Sequence, residues 1–116
     1  LKFALSFMML CSLLFAEDTV VCEILGTQSK RIQCTFFTQS VSFDRNITFC
    51  WESPDVAYDY RERDFTMEAH HRSVYDYRYY YGRASGLWDI YVKDAAGDVL
   101  AHTTFELHSD DEMPLK

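Results

Sequence analysis

Residues 19–38 read TVVCEIL-GTQS-KRIQCTFFT with the bridging Lys30 at the start of the second run, two alternating apolar segments around a short polar turn. Folding the chain about Gln28 sets Cys22 opposite Cys34 and Ile24 opposite Ile32, and the two-residue period of a strand then gathers Val20, Cys22, Ile24, Ile32, Cys34 and Phe36 on one face. This predicts a β-hairpin with a buried face and a disulfide between Cys22 and Cys34. A cross-strand bridge needs Cα atoms within roughly 7 Å, which opposed residues satisfy.

The same alternation recurs downstream. NITFCWE (46–52) turns Ile47, Phe49 and Trp51 to one side and Cys50 to the other, and FTMEA (65–69) turns Phe65, Met67 and Ala69 inward. Between them SPDVAYDYRER (53–63) reads as a polar loop opened by Pro54. GLWDIYVK and DVLAHTTFEL bracket Asp94-Ala95-Ala96-Gly97. A four-residue turn there, with Gly97 in the left-handed region, pairs Lys93 with Asp98, Val92 with Val99 and Ile90 with Ala101. Together with residues 73–83 these segments make about seven short strands and no sustained helical stripe. The predicted fold is an all-β, immunoglobulin-like antiparallel sandwich over residues 17–107. Residues 108–116, HSDDEMPLK, lose both alternation and hydrophobicity and read as a disordered acidic tail.

Residues 1–16, LKFALSFMMLCSLLFA, set the compartment. Lys2 precedes an apolar run too short for a bilayer span of about 20 residues and of the length of a secretory signal core, with Ala16 before Glu17-Asp18 as the cut site. An uncleaved anchor is the alternative. Export to the periplasm or medium is predicted, with no stable membrane insertion after cleavage. Three cysteines then remain, and oxidising surroundings favour the Cys22–Cys34 bridge with Cys50 left as a thiol. The chain carries a formal net charge of −7, which opposes binding to nucleic-acid phosphates or anionic lipid.

Against that acidic background, residues 73–83 read SVYDYRYYYGR, with five tyrosines and two arginines. In a strand Tyr75, Tyr77, Tyr79 and Tyr81 share one face while Val74, Asp76, Arg78 and Tyr80 share the other. The burial habit of aromatics assigns Tyr75, Tyr77 and Tyr79 to the core. Arg78, Tyr80 and Arg83 are then left to meet a partner, joined by Tyr58, Tyr60 and Arg61 of the neighbouring loop. Segment 55–83 holds five arginines against six acids. Arginine with tyrosine is the composition of protein interface centres, and surface ion pairing within the segment is the plainer alternative.

CTFFT (34–38), Trp51, and the C-terminal Gly86-x-Trp88, Asp94, Gly97, Leu100 and Phe105 resemble a family of small bacterial exported β domains of unknown function. The resemblance covers about residues 34–107 and implies fold and compartment, with no catalytic residues.

Other patterns carry less. His70 and His71 are adjacent, so on a strand they face opposite sides, and no Cys/His spacing matches a zinc site; no metal or other cofactor is predicted. Asn46-Ile47-Thr48 is a glycosylation acceptor only in a eukaryotic secretory protein. Nucleophile, metalloprotease and phosphate-loop motifs are missing. The predicted function is a non-catalytic module that recognises a protein or envelope component through its Tyr/Arg surface. The alternatives are a small hydrolase of glycan or cell-wall material using Asp55, Asp59, Glu62 or Asp64 as a carboxylate pair, and a structural accessory subunit.

Overall fold

The computed structural model describes residues 18–108; the expected leader 1–16 and residues 109–116 of the expected tail lie outside the described residues. The described chain forms seven strands: β1 Thr19–Leu25, β2 Arg31–Phe37, β3 Arg45–Glu52, β4 Tyr60–Met67, β5 Ser73–Tyr79, β6 Gly86–Asp94 and β7 Val99–Leu107. They make two sheets, a three-stranded one in the order β1-β2-β5 and a four-stranded one in the order β4-β3-β6-β7. Every pairing is antiparallel. This is the immunoglobulin-like sandwich that the alternation predicts.

The strand period fills the space between the sheets. Ile32, Cys34 and Phe36 of β2 face Ile47, Phe49 and Trp51 of β3 and Trp88, Ile90 and Val92 of β6, all buried. Phe105 stacks on Trp88 with centroids 5.8 Å apart and meets Trp51 edge-on at 6.4 Å. Each such side chain contributes about 1.5–3 kcal/mol by leaving water.

The first hairpin has the predicted register: Cys22 pairs with Cys34 and Ile24 with Ile32, and the disulfide Cys22–Cys34 is formed. The shared face is less continuous than expected. β1 is an edge strand, and Ile24 near its far end is 48% exposed, beside a cleft it lines with Phe105 and Glu106.

The second hairpin corrects the predicted register. The turn closes at Asp94, whose carboxylate accepts from Ala96 N at 3.0 Å and Asp98 N at 2.9 Å, while Asp94 N donates to Asp98 O. Lys93 therefore pairs with Val99, and a bulge between Val92 and Lys93 sets Val92 opposite Ala101 and Ile90 opposite Thr103. Without that extra residue Leu100 would fall opposite Val92, and the next inward position would be lost. The bulge restores parity, so Ala101 is buried and Phe105 packs on the core.

One close approach fixes the loop before β4. Gly86, at φ +121°, has Pro54 against it, and a Cβ there would lie 2.8 Å from Pro54 Cγ. Only glycine adopts that backbone without strain and leaves the proline room. Residues 53–59 are thereby held on the start of β6.

Candidate functional site

The chemistry gathers where the two sheets face each other along β4 and β5, each an edge strand of its sheet. β4 starts earlier than expected: residues 60–63, predicted as the end of a polar loop, are its first half. Register explains why the sequence conceals this. Arg61 pairs with Trp51 and Arg63 with Phe49, so both arginines occupy positions whose cross-strand neighbours point into the sandwich. A run in which every inward position before Phe65 is charged does not read as a strand.

Their partner comes from β5. Asp76 pairs with Cys34 across β2 and β5, and its carboxylate is fully buried. Its Oδ2 accepts from Trp51 Nε1 at 2.9 Å. Its Oδ1 accepts from Arg61 Nη2 and Arg63 Nη1, both at 3.1 Å, and from Tyr77 N at 2.9 Å. Removing a carboxylate from water costs several kcal/mol per ion, and a full set of charge-assisted donors is what offsets it.

A second carboxylate closes the end of the seam. Residues 53–59 curl through Ser53 Oγ, which donates to Asp55 O, and through Tyr58 N and Asp59 N, which also donate to Asp55 O. The curl turns Asp59 inward, where it accepts from Arg78 Nη2 at 2.9 Å and Arg83 Nη1 at 3.1 Å. The Arg78 guanidinium also lies over the indoles of Trp51 and Trp88, 5.9 and 6.0 Å from their centroids. Four guanidiniums thus surround two carboxylates. Burial pushes Arg61 below the ordinary arginine range, against the attraction of Asp76, and the positive charges of Arg78, Arg63 and Arg83 push the same way.

The predicted faces of β5 are inverted. Cys34, Ile32 and Phe36 point into the core, and their partners Asp76, Arg78 and Val74 point the same way. Tyr80 continues that side just beyond the strand and is 1% exposed, its N donating to Lys30 O and the Lys30 ammonium 5.2 Å from its ring. The expected surface residues Arg78 and Tyr80 are therefore interior. The expected core residues are the exposed ones: Tyr75 is 50% and Tyr79 61% accessible, with Tyr77 half-buried.

The outer side of β5 continues across the small sheet. Tyr75 lies beside Thr35 and Val21, Tyr77 beside Gln33 and Glu23, and Tyr79 beside Arg31 and Leu25. The Arg31 guanidinium sits 5.1 Å from the Tyr77 ring, and Tyr77 meets Tyr79 edge-on at 5.7 Å. A hydrogen bond that the Tyr79 hydroxyl donates to Tyr77 raises the Tyr79 phenol above its ordinary value.

The remaining predicted residues divide. Arg61 and Arg83 line the seam, and Tyr58 projects from the loop that carries Asp59. Tyr60 does not join them: its strand position turns it to the outer face of the four-stranded sheet, opposite Glu52, where its hydroxyl donates to Glu62 Oε2 at 2.6 Å. That hydrogen bond raises the Tyr60 pKa, with burial adding to it. Cys50, the free thiol, lies on the same face but is buried, and burial raises its pKa. The carboxylates weighed as an acid pair are likewise dispersed, Asp59 inside the seam and Glu62 and Asp64 on the outer face of β4, where Asp64 accepts from Thr48 Oγ1 at 2.7 Å.

Sequence reasoning weighed Arg63 and Asp76 only as members of surface ion pairs and did not place them in the site; the pairing forms, with the Asp76 carboxylate buried. The signal was an inward row Arg61-Arg63-Phe65 on one segment and Val74-Asp76-Arg78 on another, complementary in charge at matching strand parity.

No protein-family model and no curated protein sequence matches this chain. Among solved structures, a β-glucosidase from Kluyveromyces marxianus matches at TM-score 0.47 and 10% identity over 79% of this chain and 14% of that one. A GH3 β-glucosidase from Bifidobacterium adolescentis matches at TM-score 0.40 and 12% identity over 80% of this chain and 17% of that one. The chain thus spans under a fifth of the length of either enzyme.

Proposed function

We propose that the chain is an exported, non-catalytic binding module that recognises a protein or envelope partner in the periplasm or medium. Its contact surface is the outer side of β5 with the adjoining seam. The observation that carries this reading is the outward row Tyr75, Tyr77 and Tyr79, exposed at Tyr75 and Tyr79, beside an arginine cluster. Tyrosine and arginine are the side chains that dominate interface energetics, because each brings large contact area together with a hydrogen-bonding end. The disulfide supports an oxidising compartment.

The test is capture from the native envelope or secretion with the tagged full chain as bait. Tyr75→Ala and Tyr79→Ala should each weaken capture by about 1 kcal/mol or more without changing the melting temperature. Thr104→Ala, on the outer side of the large sheet, should bind as the parent does. Full capture by both tyrosine variants would refute the reading.

A further inference from the structure

We infer that the seam between β4 and β5 is a carboxylate-binding subsite, which takes an acidic side chain of a protein partner. The inference rests on the preceding reading, since it names what part of the partner this surface receives.

The charge inventory is the first support. Arg61, Arg63, Arg78 and Arg83 exceed Asp59 and Asp76 by two charges, in a chain whose formal net charge is −7. Both carboxylates already accept several hydrogen bonds, yet Nη1 of Arg78 and Nε of Arg83 are buried with no hydrogen-bond partner. The side chains that carry them are 11% and 22% exposed. The same two side chains line the cleft described next, so an oxyanion there meets guanidiniums whose hydrogen bonds to Asp59 leave donors unused.

Space is the second. A cleft of about 230 Å³ opens at this point, lined by Arg61, Arg63, Tyr77, Arg78, Tyr79 and Arg83, with no acidic residue on its walls. A carboxylate fits, and planar guanidiniums match its two oxygens.

Two further features select the occupant. Tyr77 and Tyr79 meet at an interplanar angle of 84°, so they do not form a coplanar platform for the faces of consecutive sugar rings. The edge of β5 is also engaged at its centre: Tyr77 N donates to the Asp76 carboxylate, and Arg61 Nη2 approaches Tyr77 O at 3.5 Å. An added strand would have to displace both contacts. Docking through an acidic side chain, between the tyrosines and into the cleft, disturbs neither.

The experiment titrates the full chain with acetate, with a short Glu-rich peptide and with oligogalacturonate, following arginine Nε–H resonances by NMR. Saturable shifts of the Arg78 and Arg83 signals with acetate, and tighter binding of the peptide, are expected. Arg63→Gln, which leaves Arg61 on Asp76, should weaken both roughly tenfold, the order expected when a charge-assisted hydrogen bond is lost. Lys93→Gln on the outer face of the large sheet should change neither. The inference is overturned if the arginine signals do not saturate, if Lys93→Gln weakens binding equally, or if oligogalacturonate saturates the site and the peptide does not. Partner capture that falls in Tyr79→Ala but persists in a folded Arg63→Gln would leave the binding-module reading standing and remove the carboxylate subsite.

Discussion

β3 and β5 both contribute alternate residues to the interior of one sandwich, yet they bury different chemistry. β3 sits between β4 and β6 and turns Ile47, Phe49 and Trp51 inward, while β5 ends its sheet and turns Val74, Asp76 and Arg78 inward. A central strand is shielded along its whole length, so an ion there would have no route to water. At an edge, long arginine side chains reach from the buried carboxylate back to solvent: Asp76 is fully enclosed while Arg63 remains 51% exposed. The difference also governs what lies outside. Because polar groups occupy the inner positions of β5, its aromatic residues are the ones left on the surface.

Breaking the inner side of either strand should have the largest effect. Asp76→Ala leaves Arg61, Arg63 and the Trp51 indole without their acceptor and should cost about 3–5 kcal/mol, comparable with Phe49→Ala at about 3–5 kcal/mol, both read from urea unfolding. If Asp76→Ala costs less than a surface substitution, the seam contributes nothing to stability and the contrast between the strands is only descriptive. Tyr80→Ala belongs with this class, at about 3 kcal/mol or more, because it extends the inner side of β5. Replacing both Cys22 and Cys34 by Ala should cost next most, roughly 2–4 kcal/mol, measured by the same unfolding and by reduction of the parent chain. The outer side of β5 gives the sharpest contrast: Tyr79→Ala should change stability by no more than about 0.5 kcal/mol while weakening partner capture.

The smallest effect concerns pH. The Tyr60 pKa is raised above the ordinary phenol value near 10, chiefly by its hydrogen bond to Glu62. The folded state therefore holds that proton more tightly than the unfolded one. Its contribution to stability is fully present below the unfolded pKa and is lost as pH rises through the folded one. Tyr60→Phe should flatten the alkaline fall in stability slightly, and an unchanged alkaline limb would show that the hydrogen bond is not maintained in solution.

The legible parts of this fold are those where both faces of a strand differ in hydrophobicity. β2, β3 and β6 alternate cleanly, so their inward residues, the first hairpin's register and the Cys22–Cys34 bridge follow from spacing. β4 and β5 do not alternate in that way. On β5 both faces carry side chains able to bury, tyrosine on one and valine with an aspartate-arginine pair on the other, and hydrophobicity alone selects the wrong one. The deciding quantity is the register between β2 and β5, a pairing across about 40 residues of chain that local pattern does not specify. The turn of the C-terminal hairpin was legible for the same local reasons as the first, but its bulge was not, because one inserted residue alters pairing without altering composition.

The Cys22–Cys34 bridge has a mechanical consequence as well. It joins β1 to β2 at the fourth of the seven residues of β1, with register pairs on either side of it. A pull applied ahead of Thr19 would peel β1 from β2 one pair at a time, starting at Thr19 and Phe37. Peeling must stop at the cross-link, and the load then passes into β2, whose inward residues hold the two sheets together. In an oxidising medium the cross-link thus limits peeling to the three register pairs that precede it, and reduction would remove that limit.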